Sequence, residues 1–241
     1  MKKMVLLGTI VNGLSIVAGS FIGRLLNHIP EQMKGTVMQA IGLAVMVLGL
    51  GMGLKSAQYI IVILSLVIGA VIGEMLQLEA HLNGLGAWLE KKFGNSSQGS
   101  TAEAFVTATL VFVIGAMAIL GALDSGIRGD HTVLYTKSVL DGFTALILSS
   151  TLGFGVVFSV VPVILYEGAI ALFATQINRL VPAPVLHSFI TEMTATGGIM
   201  IFAIGLNIAG LAKIRVANLL PGILVVAVLV GLLHAYHTVF G

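Results

Sequence analysis

Met4-Val-Leu-Leu-Gly8-Thr-Ile-Val-Asn12-Gly-Leu-Ser15-Ile-Val-Ala-Gly19-Ser-Phe-Ile-Gly23-Arg-Leu-Leu26 is a run long and apolar enough to cross a lipid bilayer, which takes about twenty residues as a helix. Its small and polar residues, Gly8, Asn12, Ser15, Gly19 and Gly23, recur at spacings of 4, 3, 4 and 4, which puts them on one helical face. That face is expected to meet protein or water, and the Leu, Ile and Val face to meet lipid. Lys2 and Lys3 precede the run as in a signal peptide, yet no polar cleavage region interrupts it, so it reads as a first span.

Seven more apolar runs follow at 36–54, 57–76, 102–123, 132–152, 154–176, 184–211 and 217–238, each bounded by Gly, Pro or charged residues. The expected fold is an all-α polytopic membrane bundle of about seven or eight transmembrane helices with broken helices. Residues 77–93 are amphipathic and too polar to span, with Leu78, Leu82, Leu85, Trp88, Leu89 and Phe93 set against Glu79, His81, Glu90, Lys91 and Lys92; they read as an interfacial helix. The polar stretch at 94–101, Gly-Asn-Ser-Ser-Gln-Gly-Ser-Thr, reads as a linker between a first half, 1–93, and a second half, 102–241. Loop Lys and Arg divide six against six in an eight-span arrangement, which leaves orientation open.

Composition excludes most other classes. Of 241 residues, 57% are apolar and 9% charged, against roughly a quarter charged in soluble domains, and mean hydropathy is +1.07. The absence of cysteine rules out disulfides and thiolate metal sites. With a net charge of +2 and scattered basic residues, no nucleic-acid partner is expected. The expected partners are the bilayer, a small solute or ion, and, given the small-residue faces, a second copy of the chain.

A faint internal repeat aligns Thr9–Ser15 with Ser138–Thr144, and Gly42, Gly49 and Leu50 with Gly198, Gly205 and Leu206, as two pseudo-equivalent halves would.

Charge at membrane depth marks the candidate site, because an ionised side chain there costs several kcal/mol unless it is paired, protonated or bound to a cation. Asp141 lies inside an apolar run, four residues after Lys137 and three before Thr144; it is either a functional acid or half of a salt bridge to Lys137. Glu167 follows Pro162 by five residues, and Pro162 is expected to free a backbone carbonyl near it. Asn12, Glu192, Thr194, Thr196 and Asn207 are candidate oxygen or amide ligands, with Gly197 and Gly198 a candidate helix break. Gly121 and Gly126 suggest another break beside Asp124, Arg128, Asp130 and His131, where Asp124 and Arg128 could equally form an i, i+4 ion pair. Hard oxygen donors favour Na⁺, K⁺, H⁺ or Mg²⁺ over zinc or copper; a bound Na⁺, K⁺ or H⁺ is the expectation, and no other cofactor is expected. The six histidines form no metal motif.

Protease and nucleotide-binding signatures are missing. The leading expectation is a secondary transporter or ion-conducting protein coupled to a cation or proton at these intramembrane acids; a structural or assembly partner is the first alternative, and an acid/base cluster of Asp124, Asp130 and His131 acting on a lipid head group is the second.

Several segments together resemble a known family: Gly8–Asn12, Gly115–Gly121, Lys137–Gly142, Ser150–Ser159, Gly197–Asn207 and Lys213–Pro221. They resemble the YqgA/YdfK-type family of bacterial integral membrane proteins, over nearly the whole chain. The resemblance implies a bacterial inner-membrane location and a transporter-like but unassigned role. It carries over to Asn12, Asp141, Gly197, Gly198 and Asn207 as candidate functional positions.

Overall fold

The structure is a computed structural model and describes residues 4–25, 31–93 and 101–240; of the linker expected at 94–101, residues 94–100 lie outside the described residues, and Thr101 opens a helix. The described residues are mostly helical, with short turns and loops between helices and no strand. The helices are α1 (Leu7–Leu25), α2 (Glu31–Gly53), α3 (Tyr59–Met75), α4 (Leu78–Phe93), α5 (Thr101–Val113), α6 (Ala116–Ile127), α7 (Thr132–Leu152), α8 (Val160–Leu172), α9 (Ala174–Leu180), α10 (Ala183–Ile208) and α11 (Pro221–Phe240). Short 3₁₀ turns at Phe154–Ser159 and Val216–Leu219 lead into α8 and α11.

The helices are inside-out by the standard of a water-soluble protein. On α3 the buried side is Ile61, Val62, Ser65, Gly69 and Gly73, whereas Ile60 is 69% exposed and Val67 and Val71 are 57% exposed. On α1 the buried side holds Gly8, Thr9, Asn12, Gly13, Ile16, Gly19, Ser20 and Gly23, with Leu14, Phe21 and Ile22 outside. Small and polar residues inside with large aliphatics outside is the arrangement that a lipid solvent selects. Among the described residues, five helices are long and apolar enough to cross a membrane, or up to seven if each of two bent helix pairs is one span. The fifth expected span, α7, is not among the five, because Lys137, Asp141 and seven Ser or Thr residues lower its hydropathy.

One bent pair is α5 with α6, which turn by 60°. The break falls at Gly115, with φ 156° and ψ 150°, a backbone region open essentially to glycine alone. This corrects the expected breaks. Gly121 and Gly126 lie within α6, and Gly197 and Gly198 within an unbroken α10. Three of the four lack a side chain for packing: a Cβ on Gly121 would meet Leu134, on Gly126 the Ala171 carbonyl, and on Gly198 the backbone of Gly53. Pro162 also breaks nothing. It stands in the first turn of α8, just after the 3₁₀ turn Phe154–Ser159, and α8 continues past it to Leu172.

The chain divides into two compact units, one built from Met1–Val37 and Leu82–Leu180, the other from Met38–His81 and Val181–Gly241. Each unit is therefore composed of an early and a late segment, a division in space that the linker-based division along the chain does not follow.

In the first unit α1 lies along α7. Gly8 meets Leu134, Gly19 meets the Gly142 carbonyl and Ala145, and Gly23 meets the Leu146 carbonyl and Ser149. Contact numbers rise together, so the two helices run parallel. Ser149 Oγ donates to the Ser20 carbonyl at 2.8 Å and fastens the pair. Gly13, off this stripe, packs on Ile164 and Val160 of the α8 region.

In the second unit α2 and α10 cross antiparallel, Gly42 on Gly205 and Ala209, Gly49 on Gly198 and Phe202. Gly69 and Gly73 of α3 likewise seat against Gly222 and Asn218. Both pairs of repeat-matched helices thus pack on each other, but the first pair is parallel and the second antiparallel, so they need different symmetry operations.

Candidate functional site

Inside the first unit, four polar side chains from three helices converge. Lys137 and Asp141 sit one turn apart on α7 and form an i, i+4 ion pair between Nζ and Oδ2. Parallel packing through glycine carries Asn12 of α1 up to the same turn, where its Nδ2 donates to Asp141 Oδ2 at 3.0 Å. The same Nδ2 donates to Glu167 Oε1 of α8 at 2.9 Å, and Lys137 Nζ lies 3.4 Å from that oxygen. Two donors, an ammonium and an amide, therefore bridge one oxygen from each of two acids.

The cluster is enclosed. Asn12 and Glu167 have no exposed surface, while Lys137 and Asp141 keep a small exposed fraction. Asn12 Oδ1 and Glu167 Oε2 are buried without a hydrogen-bond partner, a costly condition for acceptors away from water. With all three groups ionised the cluster carries one net negative charge: Lys137 contributes +1 and the two carboxylates −2. Neutrality at this depth needs one further positive charge, from a proton or a cation.

Of the candidates read from the sequence, the structure gathers Asn12, Asp141 and Glu167. Lys137, read only as a salt-bridge partner for Asp141, bonds to one acid and pairs with the other.

The remaining candidates stand elsewhere. Glu192 of α10, in the second unit, accepts from Ser56 Oγ at 2.5 Å and from the amides of Ala57 and Gln58 at 3.0 Å each. It caps the start of α3 from a distance in sequence, placing negative charge at a helix N-terminus. Asn207 pairs both ends of its amide with Ile214, at 2.8 Å each, and ties down the loop after α10. Thr194 and Thr196 are buried on α10 with unpartnered hydroxyls. Asp124 is 3.4 Å from Arg128, the i, i+4 pair that was the competing expectation.

The groups of the lipid-directed alternative are each held by near neighbours in sequence. His131 Nδ1 is hydrogen-bonded to Ser125 Oγ at 2.9 Å, whereas Asp130 Oδ1 accepts from the Thr132 amide and hydroxyl at 3.0 and 2.7 Å. Those Thr132 bonds, the backbone one foremost, hold the exposed Asp130 carboxyl below the usual range.

A second polar knot escaped the sequence reading. Asn218 Oδ1 accepts from the Glu79 amide at 2.8 Å and its Nδ2 donates to Glu74 Oε2 at 2.5 Å, while Glu79 Oε2 accepts from the Ala217 amide at 3.0 Å. Arg215 Nη1 completes it at 2.5 Å from Glu74 Oε1. Its polar groups serve helix ends. The quoted segment Lys213–Pro221 contained Asn218, but nothing local pointed to partners about 140 positions away.

Comparison with known proteins places the chain. It is 36% identical over 234 residues to a Bacillus subtilis (strain 168) protein described as uncharacterized membrane protein YdfK, covering 95% of this chain and 97% of that one. It is 30% identical over 223 residues to the uncharacterized protein YqgA of Escherichia coli (strain K12), covering 90% and 93%. No solved structure matches. The family model for proteins of unknown function DUF554 matches residues 7–231, and the chain belongs to that family of membrane proteins.

Proposed function

We propose that this protein is a secondary transporter or ion-conducting protein of the bacterial inner membrane, moving a small solute or ion with a proton or monovalent cation at the Asn12–Lys137–Asp141–Glu167 cluster. One observation carries the reading: two acids, one lysine and one amide are enclosed among apolar helices, one acid more than there are bases to pair with it. Intramembrane ionisable groups of this kind are expensive to keep, and they mark ion and proton pathways. No enzymatic role is proposed.

The assembly-partner reading would use the small-residue faces to bind another protein. Those of α1, α2 and α3 are instead covered by helices of this chain, which favours transport.

The test is reconstitution into liposomes loaded with a pH-sensitive dye, followed by imposed Na⁺, K⁺ or Li⁺ gradients and an imposed membrane potential. A gradient- or voltage-driven pH change that is lost in Asp141→Asn supports the proposal. A signal no larger than that of empty liposomes under every gradient, or one unchanged in the variant, contradicts it.

A further inference from the structure

The ligand of the cluster follows from which of its atoms are already committed. Asp141 Oδ2 and Glu167 Oε1 are both occupied by Asn12 Nδ2 and by Lys137. Two buried acceptors are left over, Asn12 Oδ1 and Glu167 Oε2. They belong to side chains already joined through the Nδ2 to Oε1 bond. A hard metal cation has to replace its water shell with about six oxygens, and two oxygens beside an ammonium are a poor substitute. A proton needs only one acceptor to sit on and one to point at.

We propose that Glu167 Oε2 is a reversible proton-binding site, in which the protonated carboxyl donates to Asn12 Oδ1 while Asn12 Nδ2 donates back to Glu167 Oε1. The result is a cyclic acid–amide pair on α8 and α1. A proton taken from water adds to Oε2 and no other bond breaks. The cluster then sums to zero, with Lys137 at +1, Asp141 at −1 and Glu167 neutral. Protonation turns one of the two unpartnered acceptors into the donor the other lacks, so a single proton removes both unsatisfied atoms and the excess charge.

The groups around Glu167 leave this assignment consistent. From α7 come Lys137 and Asp141, and from α1 the neutral Asn12. The charged groups on the other helices against α8 stand toward their ends: Glu103 in the first turn of α5, Asp124 and Arg128 at the close of α6, and Arg179 in the last turn of α9. Asp141 retains a little exposure, and Glu167 none, so the proton's route to water runs past the Lys137–Asp141 pair. Lys137 is thereby a positioning residue, which keeps Asp141 ionised and leaves the exchangeable proton to Glu167.

This inference rests on the cluster being the functional site but not on transport, and its test does not measure flux. Infrared difference spectroscopy of the purified protein across a pH titration reads the C=O stretch of a protonated carboxyl. Wild-type protein should show one titrating buried carboxyl band that moves when glutamate is labelled with carbon-13 and stays when aspartate is labelled. The band should vanish in Glu167→Gln and move to higher frequency in Asn12→Leu, where the O–H loses its acceptor. A band that moves with the aspartate label places the proton on Asp141 and overturns the proposal. So does the absence of any titrating carboxyl band, or a band that one alkali cation removes saturably. The labelled wild type decides the matter even where a variant fails to fold. Failure here with ion-driven flux intact would remove only the proton assignment, whereas a titrating glutamate band without flux would remove only the transport reading.

Discussion

Asn12 is the residue on which the cluster turns, since its one amide nitrogen holds an acid from each of two other helices. Lys137→Met should lower stability by about 3–5 kcal/mol, because it strands two carboxylates in an enclosed site. The double variant Lys137→Met with Asp141→Asn should recover most of that loss, leaving a neutral Glu167 and no unpaired charge. Thermal unfolding of the two single variants and the double forms a mutant cycle, and simple additivity would contradict the charge count. Asp141 was legible from sequence because an acid in an apolar run has few innocent explanations. Its partnership with Asn12 was hinted at by the repeat that aligned the two positions. Glu167 was legible as a buried acid, but the partners of Glu192 were not, because a carboxylate reads the same whether it binds an ion or caps a helix 134 positions away. Glu192→Ala should accordingly cost about 1–3 kcal/mol, the usual penalty for stranding buried hydrogen-bonding groups, and leave any pH or cation response of the protein unchanged. Loss of that response alongside normal stability would return Glu192 to the candidate ligands.

Among the elements, α1 and α7 set the site, and the glycine stripe sets their separation. A Cβ at Gly19 would overlap the Gly142 carbonyl, and one at Gly23 the Leu146 carbonyl, so a side chain there must push the helices apart. Gly19→Ala should destabilise by about 1–3 kcal/mol, and should also weaken the contact of Asn12 with Asp141. Gly51→Ala, whose Cβ meets open space, should leave unfolding temperature within a degree or two or raise it, as helix propensity favours alanine. Equal effects at both positions would sink the packing account. The stripe itself was readable, since a repeat of three and four needs only the sequence. Its partner helix was not, and neither were the breaks: Gly115 breaks the chain while Gly121, Gly126, Gly197 and Gly198 continue helices. In sequence a glycine that permits a turn and one that permits close packing look alike.

At the scale of the whole molecule, the polytopic helical class followed from composition and run length alone, and the exposed aliphatic faces of α1 and α3 agree with it. Span number was less legible, because α7 spends much of its length on polar residues and two helix pairs are bent at a short break. The division of the chain into two units was beyond reach of the sequence, since each draws on segments far apart. On the function proposed, the enclosed cluster of the first unit binds one proton or cation in the native state. Either carboxylate, if made neutral, lets Lys137 pair with the other and removes the excess charge, so Asp141→Asn and Glu167→Gln should behave alike. The most direct measurement is thermal unfolding of the wild type and these two variants in detergent, across pH and with Na⁺, K⁺ or Li⁺ exchanged at fixed ionic strength. A ligand held only by the folded state stabilises it by mass action. If the proton is that ligand, wild-type stability rises relative to both variants as pH falls; if it is a cation, the same relative rise appears with one ion. Three proteins responding identically to every ion and pH would contradict the claim.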